Sequence, residues 1–514
     1  MAYFRLEKWL TLPCEQTAYQ KRKGPILHVY FVRLLIAICN TLKRPLFIGV
    51  TDFEAAFDHI SRRNLFKKLA NMGIGMFLLR AIIEMYKVTE AYVLLNGEYS
   101  HAISTTAGVL QGAASSTILF MAYTLDIVHI FKEYFPIDDL IHNFHILLHA
   151  DDSLILATSK QSLIEKFEKL NEYCMNNNIK LQLSKCGFIA INSDETESIL
   201  LEGGEIKSKD EFVYLGSIIT SAGNIQKDLR SEIMKKEKKF SKFFAFLTQN
   251  YNAPLEVKEK VLDACIVSVI TYNCESWGDV NINSLEKKYR QALKYMLGVR
   301  KTVCNEFPYV ELGRPTLKAI IQKRQLIFYR KCMIYEDYPL LRFIIRKALD
   351  SRCSFINHYV ELNSRYNNPE DIIAESLLSM QNDIRTKARA NYSRYKSYLE
   401  MNPSLKRPDM YDRYIPTHKL QKVIRIRMVS HDLQVELGRQ RVNPTPREER
   451  TCHCGEIEDE IHFIRCCSTY SHIRNKYVQL QHLSFSELLD NLYTTDYVYE
   501  LYECRKLFQG IHRN

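Results

Sequence analysis

Residues 144–158 read FHILLHADDSLILAT, two apolar runs split by His149-Ala150-Asp151-Asp152. Short apolar runs broken at a polar point are the pattern of buried strands. The stretch therefore predicts a β-hairpin with two adjacent acids at its tip. Upstream, PLFIGV at 45–50 runs into Thr51-Asp52, a second buried strand ending on a carboxylate. Between the two lie further signals. Ile60, Leu65, Leu69 and Met72 fall near helical spacing and Gly73 stands where that helix stops. Met76 to Tyr86 reads as an amphipathic helix, and AYVLLNGEYSHAIST at 91–105 as a hairpin around Asn96-Gly97. Ser115 to Phe131 reads as a helix. After the acid pair come a helix over Lys160–Asn176, a short strand IKLQLS before Lys185, and another strand over Phe212–Thr220. The fold class is α+β.

Composition narrows the field. The chain has 514 residues, 46% of them hydrophobic, enough for a sizeable core. Lys plus Arg is 70 against 59 Asp plus Glu, a formal charge of +11 that suits a polyanionic partner. Fourteen cysteines, mostly scattered singly, point to reduced thiols and an intracellular setting, nuclear or cytoplasmic. The longest apolar stretch, Ile26 to Leu42, contains His28, Arg33 and Asn40 and reads as a buried helix, so no membrane partner is expected. The start, MAYFRLEKWLTLP, is too charged for a signal peptide.

Asp52, Asp151 and Asp152 each sit at the end or tip of an apolar strand, where a charge is costly unless compensated. A divalent cation compensates it. Mg²⁺ takes a few carboxylates plus substrate phosphates, and two such ions activate a 3′-hydroxyl and stabilise a leaving pyrophosphate. Taken singly, Asp-Asp at a turn and Asp after a strand are ordinary turn and capping chemistry. The sequences around them decide the matter.

VTDFEAAFDHI at 50–60, GVLQGAASSTILF at 108–120, HADD at 149–152, LQLSK at 181–185 and YLGS at 214–217 resemble, in order, motifs A to E of the reverse transcriptase of LINE-type (non-LTR) retrotransposons. YNCESW at 272–277 and LEKKYRQALKYMLGV at 285–299 resemble blocks that recur downstream, and EQTAYQKRKGP at 15–25 resembles the end of the fingers block. The resemblance implies a right-hand polymerase. It implies a partial fingers remnant at 1–42, a palm with motifs A to E at 43–222, a helical thumb at 223–300, a helical extension at 301–442, and a Cys/His module with a tail at 443–514. It also implies an RNA template, a DNA primer and dNTPs as partners. The chain reads as N-terminally truncated, without the earlier fingers motifs and without an endonuclease, so it is expected not to nick DNA.

Residue roles follow from the same resemblance. Asp52, Asp151 and Asp152 would bind two Mg²⁺ ions. Phe57 would act as a steric gate against a 2′-hydroxyl. Gln111 and Gly112 would face the nascent base pair. Lys185 would neutralise or protonate the pyrophosphate, and Tyr214, Leu215 and Gly216 would grip the primer terminus. The thumb would track phosphates, and residues 227–242 carry seven Lys/Arg against three Asp/Glu. Three departures from the family stand out: Ser115 and Thr117 where leucine and proline are usual, and His149 where an aromatic is usual.

Residues 452–467 read CHCGEIEDEIHFIRCC, and Cys452, Cys454, His462 and Cys467 give C-x-C-x7-H-x4-C. Three thiolates and an imidazole suit a structural tetrahedral Zn²⁺, with Cys466 or His453 as alternative ligands. Asn443 to Arg450 before it reads as a linker. The sequence thus predicts an RNA-directed DNA polymerase. The alternative is an inactive or domesticated remnant that only binds nucleic acid. A group II intron maturase is a third reading, which the cysteine block opposes.

Overall fold

Four strands make the central sheet: β1 (Leu46–Thr51), β2 (Ile146–His149), β3 (Asp152–Ala157) and β4 (Gly187–Ile191), all antiparallel, in the order β2-β3-β1-β4. The computed structural model that shows this describes residues 2–110, 112–334, 338–413, 415–440 and 442–511. These fall into two compact units. One takes in Met1–Glu232, Asn273–Val280 and Gln325–Ser364, and the other Ile233–Tyr272, Asn281–Arg324 and Arg365–Asn514.

The first unit has mixed helix and strand content. Its strands form where the apolar runs predict, and β1 is buried because both its neighbours are strands. Helix α1 (Pro25–Leu42) starts with proline, which needs no N–H partner there. Thirteen of its residues, from Leu27 to Cys39, are buried. It is apolar on nearly every side, as a helix inside a core is, with His28 and Arg33 as buried polar exceptions. This stretch and Ala114–Tyr134 are long and apolar enough to cross a membrane, with 72% and 67% of their windows buried within the fold. Helix α2 (Arg62–Asn71) is capped by Ser61, whose hydroxyl accepts from Asn64 N, and the chain turns out of it at Gly73 with φ +80°. Helix α3 (Ala114–Thr124) continues through Leu125, itself helical, into Asp126–Tyr134. Helix α4 (Lys160–Asn176) buries Leu163, Phe167 and Leu170. Gly49 in β1 makes room for it: a Cβ there would stand 2.6 Å from Phe167 Cζ.

Three local expectations need correction. IKLQLS is not a strand: Leu181 makes one isolated bridge to Phe53, and the chain then turns, Lys185 N donating to Gln182 O at 2.8 Å. Phe212–Thr220 is a hairpin rather than one strand, with β5 (Glu211–Tyr214) and β6 (Ser217–Thr220) joined by Leu215-Gly216. Residues 443–450 are anchored rather than a free linker, because Arg450 donates to Thr445 O at 2.8 Å and to Val435 O at 3.0 Å. The Asn96-Gly97 ribbon forms as expected, pairing Leu94 with Tyr99 and Glu90 with Ser104.

The second unit is helical, with Asn283–Met296, Glu370–Arg389, Thr417–Arg427 and Thr494–Ile511 among its longer helices. Glu311, fully buried in this unit, is well provided for. Tyr398, Asn402 and Tyr411 donate to it at 2.9, 3.1 and 2.7 Å, and Arg427 pairs with it. A buried charge with this many partners does not carry the usual penalty of burial.

Candidate active site

The strand register builds the site. In the β1–β3 pair Thr51 faces Ser153 and Val50 faces Leu154. One step further along the same register places Asp52 opposite Asp152. The β2–β3 hairpin pairs His149 with Asp152, leaving Ala150-Asp151 as a two-residue turn. Ala150 adopts φ +58°, the left-handed region, which costs an L-residue roughly 1–2 kcal/mol. Two strand ends and one strained turn thus gather all three acids.

Their electrostatics are those of a cation site. The Asp152 carboxyl is pushed above its ordinary range by burial, and further by the charges of Asp151 and Asp52. Asp52 Oδ2 is shielded from solvent and accepts no hydrogen bond. The cation beside it is Lys185 Nζ, 3.1 Å away in an ion pair. A carboxylate oxygen that is shielded from water and paired with one ammonium, set among mutually repelling acids, fits a hard divalent ion with oxygen ligands.

The loops around the acids close on one another. Phe57 stacks on Phe120 in α3, ring centroids 4.8 Å apart. Phe57 lies in the turn after Asp52, not in a helix. Gly108 docks on that turn: Gly108 N donates to Ile60 O and Val109 N to Phe57 O, both at 2.9 Å. A Cβ on Gly108 would lie 2.8 Å from Asp58 O. Gly112, with φ +82°, has nothing within 4 Å of where a Cβ would be. Gln111 lies outside the described residues.

Residues 6–219, which carry all of this, match the family described as reverse transcriptase (RNA-dependent DNA polymerase). They are a reverse transcriptase domain. A curated relative, the retrovirus-related Pol polyprotein from type-1 retrotransposable element R2 of Bradysia coprophila, is 26% identical over 222 residues. That match covers 40% of this chain and 25% of the relative, so the chain spans about a quarter of that protein's length. The resemblance to LINE-type (non-LTR) reverse transcriptases is thereby borne out. Among solved structures, a telomerase from Candida albicans in complex with a TWJ fragment of telomeric RNA is 14% identical, covering 71% of this chain and 57% of that one, with a TM-score of 0.33. An apo telomerase from Candida tropicalis, truncated from its C-terminal domain, is 15% identical, covering 37% of this chain and 38% of that one, with a TM-score of 0.27.

In the reverse transcriptase domain the β5–β6 turn lies close to the acids, and the Asp152 charge helps push the buried Tyr214 hydroxyl's pKa upward, after burial itself. Tyr214 OH shares a 2.9 Å hydrogen bond with His28 Nδ1, the two rings lying nearly parallel with centroids 6.3 Å apart. Burial lowers the His28 pKa to about 3, so the ring is neutral. Leu215 has φ +47° and Gly216 φ +78°. This tight turn is held from outside: just beyond the domain, Asn273 Nδ2 donates to Leu215 O at 3.0 Å and to Ser217 Oγ at 3.2 Å. Arg33, buried in α1, pairs with Glu232 and donates to Ser276 Oγ at 2.6 Å.

Gln16, Thr17, His28, Gly108 and Asn273 escaped the sequence reading as site residues. The blocks at 15–25, 108–120 and 272–277 contain all of them except His28, and those blocks were the signal. His28 had none, being one polar residue in an apolar helix.

The cysteine cluster lies in the other unit. The donor atoms of Cys452, Cys454, His462 and Cys467 all lie within 4.8 Å of one another. Cys452 Sγ is 3.6 Å and Cys454 Sγ 3.8 Å from Cys467 Sγ, and Cys454 Sγ is 3.2 Å from His462 Nε2. A tetrahedron with Zn–S near 2.3 Å has edges of about 3.8 Å. Donor set and spacing therefore fit Zn²⁺. Cys466 and His453, the alternative ligands, are not among the four converging residues. Gly455, with φ +92°, makes the knuckle turn that lets the close Cys452–Cys454 pair converge.

Proposed function

We propose that this chain synthesises DNA on an RNA template, inside the cell, as the polymerase of a non-LTR retrotransposon. The observation that carries the reading is the convergence of Asp52, Asp151 and Asp152 through the antiparallel register of β1 and β3. These three carboxylates would hold two Mg²⁺ ions, which supply the Lewis acidity that activates a primer 3′-hydroxyl and stabilises the leaving pyrophosphate. Lys185, paired with Asp52 at 3.1 Å, is in reach to neutralise or protonate that leaving group. Phe57, braced by Phe120, sets an aromatic edge against a 2′-hydroxyl and so selects deoxynucleotides. By the resemblance Gln111 and Gly112 would serve the nascent pair, and Tyr214, Leu215 and Gly216 would hold the primer end. The basic helices of 223–300 act as a thumb and follow the phosphate backbone, with 43–222 as the palm, 1–42 as partial fingers and 301–442 as a helical extension. The 443–514 module binds a structural Zn²⁺ through Cys452, Cys454, His462 and Cys467.

Primer extension on oligo(dT)/poly(rA) with Mg²⁺ and dTTP tests the reading, beside Asp151→Ala. Extension that disappears in the variant is the expected result. No extension by the unaltered chain, with salt-sensitive RNA binding intact, would leave a protein that binds but does not copy.

A further inference from the structure

The N-terminal arm at 14–18 has no part in the chemistry above, yet it is built into the edge of the catalytic sheet. Gln16 bridges Leu148 of β2 in parallel. Leu148 N donates to Glu15 O at 2.8 Å, and Thr17 N donates to Leu148 O at 3.0 Å. Glu15, Gln16 and Thr17 are all at most 2% exposed. The Glu15 carboxylate is tied to Lys132 at 2.5 Å. From this fixed position two side chains reach the catalytic turn. Gln16 Oε1 accepts from Ala150 N at 3.2 Å and from its own neighbour Ala18 N at 2.9 Å. Thr17 Oγ1 hydrogen-bonds His149 Nδ1 at 2.9 Å.

Ala150 is the left-handed residue of that turn. A non-glycine residue stays in such a conformation only where its surroundings over-determine it. We propose that Gln16 is a positioning residue for the catalytic turn: its carboxamide oxygen holds the buried Ala150 amide, and with it the strained geometry that sets Asp151 and Asp152 against Asp52. The inference rests on those three acids being the metal-holding set. Without the acceptor, Ala150 N–H is buried and unpaired and the turn relaxes. A displacement approaching 1 Å at reacting groups lowers rates by as much as about 100-fold.

The test uses the full chain with Gln16→Met, which keeps the volume and removes the acceptor, and the milder Gln16→Asn, which draws the acceptor back by one methylene. Each is made alone and together with Ala150→Gly. Mn²⁺ binding is read by electron paramagnetic resonance on the protein alone, with kcat and KM for dTTP, affinity for primer-template, and thermal unfolding alongside. The expected result is Mn²⁺ binding weakened by about tenfold and kcat lowered by about 10- to 100-fold, with primer-template affinity unchanged. Adding Ala150→Gly restores both, because glycine holds a positive φ without the tether. Mn²⁺ binding within twofold of the unaltered chain in both Gln16 variants overturns the proposal. So does a loss that Ala150→Gly fails to restore, since that marks a general packing role. An unaltered chain that binds Mn²⁺ but extends no primer defeats the polymerase reading and leaves the Gln16 question to be decided by Mn²⁺ binding.

Discussion

Gly108 and Gly112 offer a matched pair of perturbations. Both have positive φ, +80° and +82°. Alanine at either position therefore costs about 1–2 kcal/mol in backbone conformation alone. Their surroundings differ. The Cβ of Gly112→Ala meets nothing within 4 Å, whereas that of Gly108→Ala meets Asp58 O at 2.8 Å, Asp58 Cα at 3.0 Å and Phe57 O at 3.1 Å. These are backbone atoms of the Asp52–Ile60 turn and cannot swing aside as a side chain can. Overpacking adds about 1–3 kcal/mol, so Gly108→Ala should weaken the docking of the two loops by about 2–5 kcal/mol. At 1.4 kcal/mol per tenfold, the undocked state becomes at least about 30 times more populated. Hydrogen exchange reads this directly, because the Gly108 and Val109 amides are bonded to Ile60 O and Phe57 O in the docked state. Exchange at those two amides should accelerate at least about 30-fold in Gly108→Ala and far less in Gly112→Ala. Unchanged protection in Gly108→Ala, or a larger effect at those amides from Gly112→Ala, would refute the argument.

Other outcomes follow from the same geometry. The Asp152 carboxyl is raised by burial and by its acidic neighbours, so the folded chain holds that proton more tightly than the unfolded one. Its ionisation therefore costs stability as pH rises through the raised value, and the full contribution is present only below the unfolded pKa. Asp152→Asn should raise Tm at pH 7.5 while abolishing extension, and the gain should shrink as pH falls toward the acid range; an equal or lower Tm at pH 7.5 counts against the repulsion. Asn273→Ala removes both bonds to the Tyr214 hairpin and should cost about 1–2 kcal/mol, seen as a raised KM for primer with KM for dTTP unchanged. Elemental analysis of the purified chain should find about one zinc per molecule. Cys467→Ser should lose that zinc and open the surrounding 447–470 segment to protease, and a metal-free unaltered chain with the segment still protected would contradict it.

How much of this was legible in the sequence depended on how local the signal is. The acids could be read because each interrupts an apolar run. That Asp52 faces Asp152 could not, because register is a property of the paired strands and β1 has two partners. LQLSK alternates like a strand, yet Lys185 turns back and its ammonium meets Asp52, a contact that no spacing rule encodes. The β5–β6 turn was invisible for a different reason. Hairpin turns of two residues announce themselves through Asn-Gly or Asp-Gly, and Leu215-Gly216 carries a leucine at φ +47°. Nothing nearby in sequence tells of it, because what stabilises it is Asn273. The four zinc-type donors converge as their spacing suggested, since a short chelating segment needs little help from the rest of the fold.

Two of the strained turns in the reverse transcriptase domain share one solution. Ala150 at the catalytic turn and Leu215 at the β5–β6 turn are both L-residues held in the left-handed region. Each is fixed by a carboxamide from a distant segment: Gln16 accepts the Ala150 amide, and Asn273 donates to the Leu215 carbonyl. A carboxamide suits the task because it is neutral and offers both donor and acceptor. A charged tether beside Asp151 and Asp152 would compete with a cation or add to their repulsion. The blocks at 15–25 and 272–277 thereby acquire a physical task, which is to hold turns whose own sequences would not keep them in place. The tethers are buried and specific, so removing one disturbs its own turn first. The Gln16 variants should therefore alter metal binding, and Asn273→Ala the primer terminus. A crossed pattern, with Asn273→Ala weakening Mn²⁺ binding as much as Gln16→Met does, would mean that the two turns move as one body.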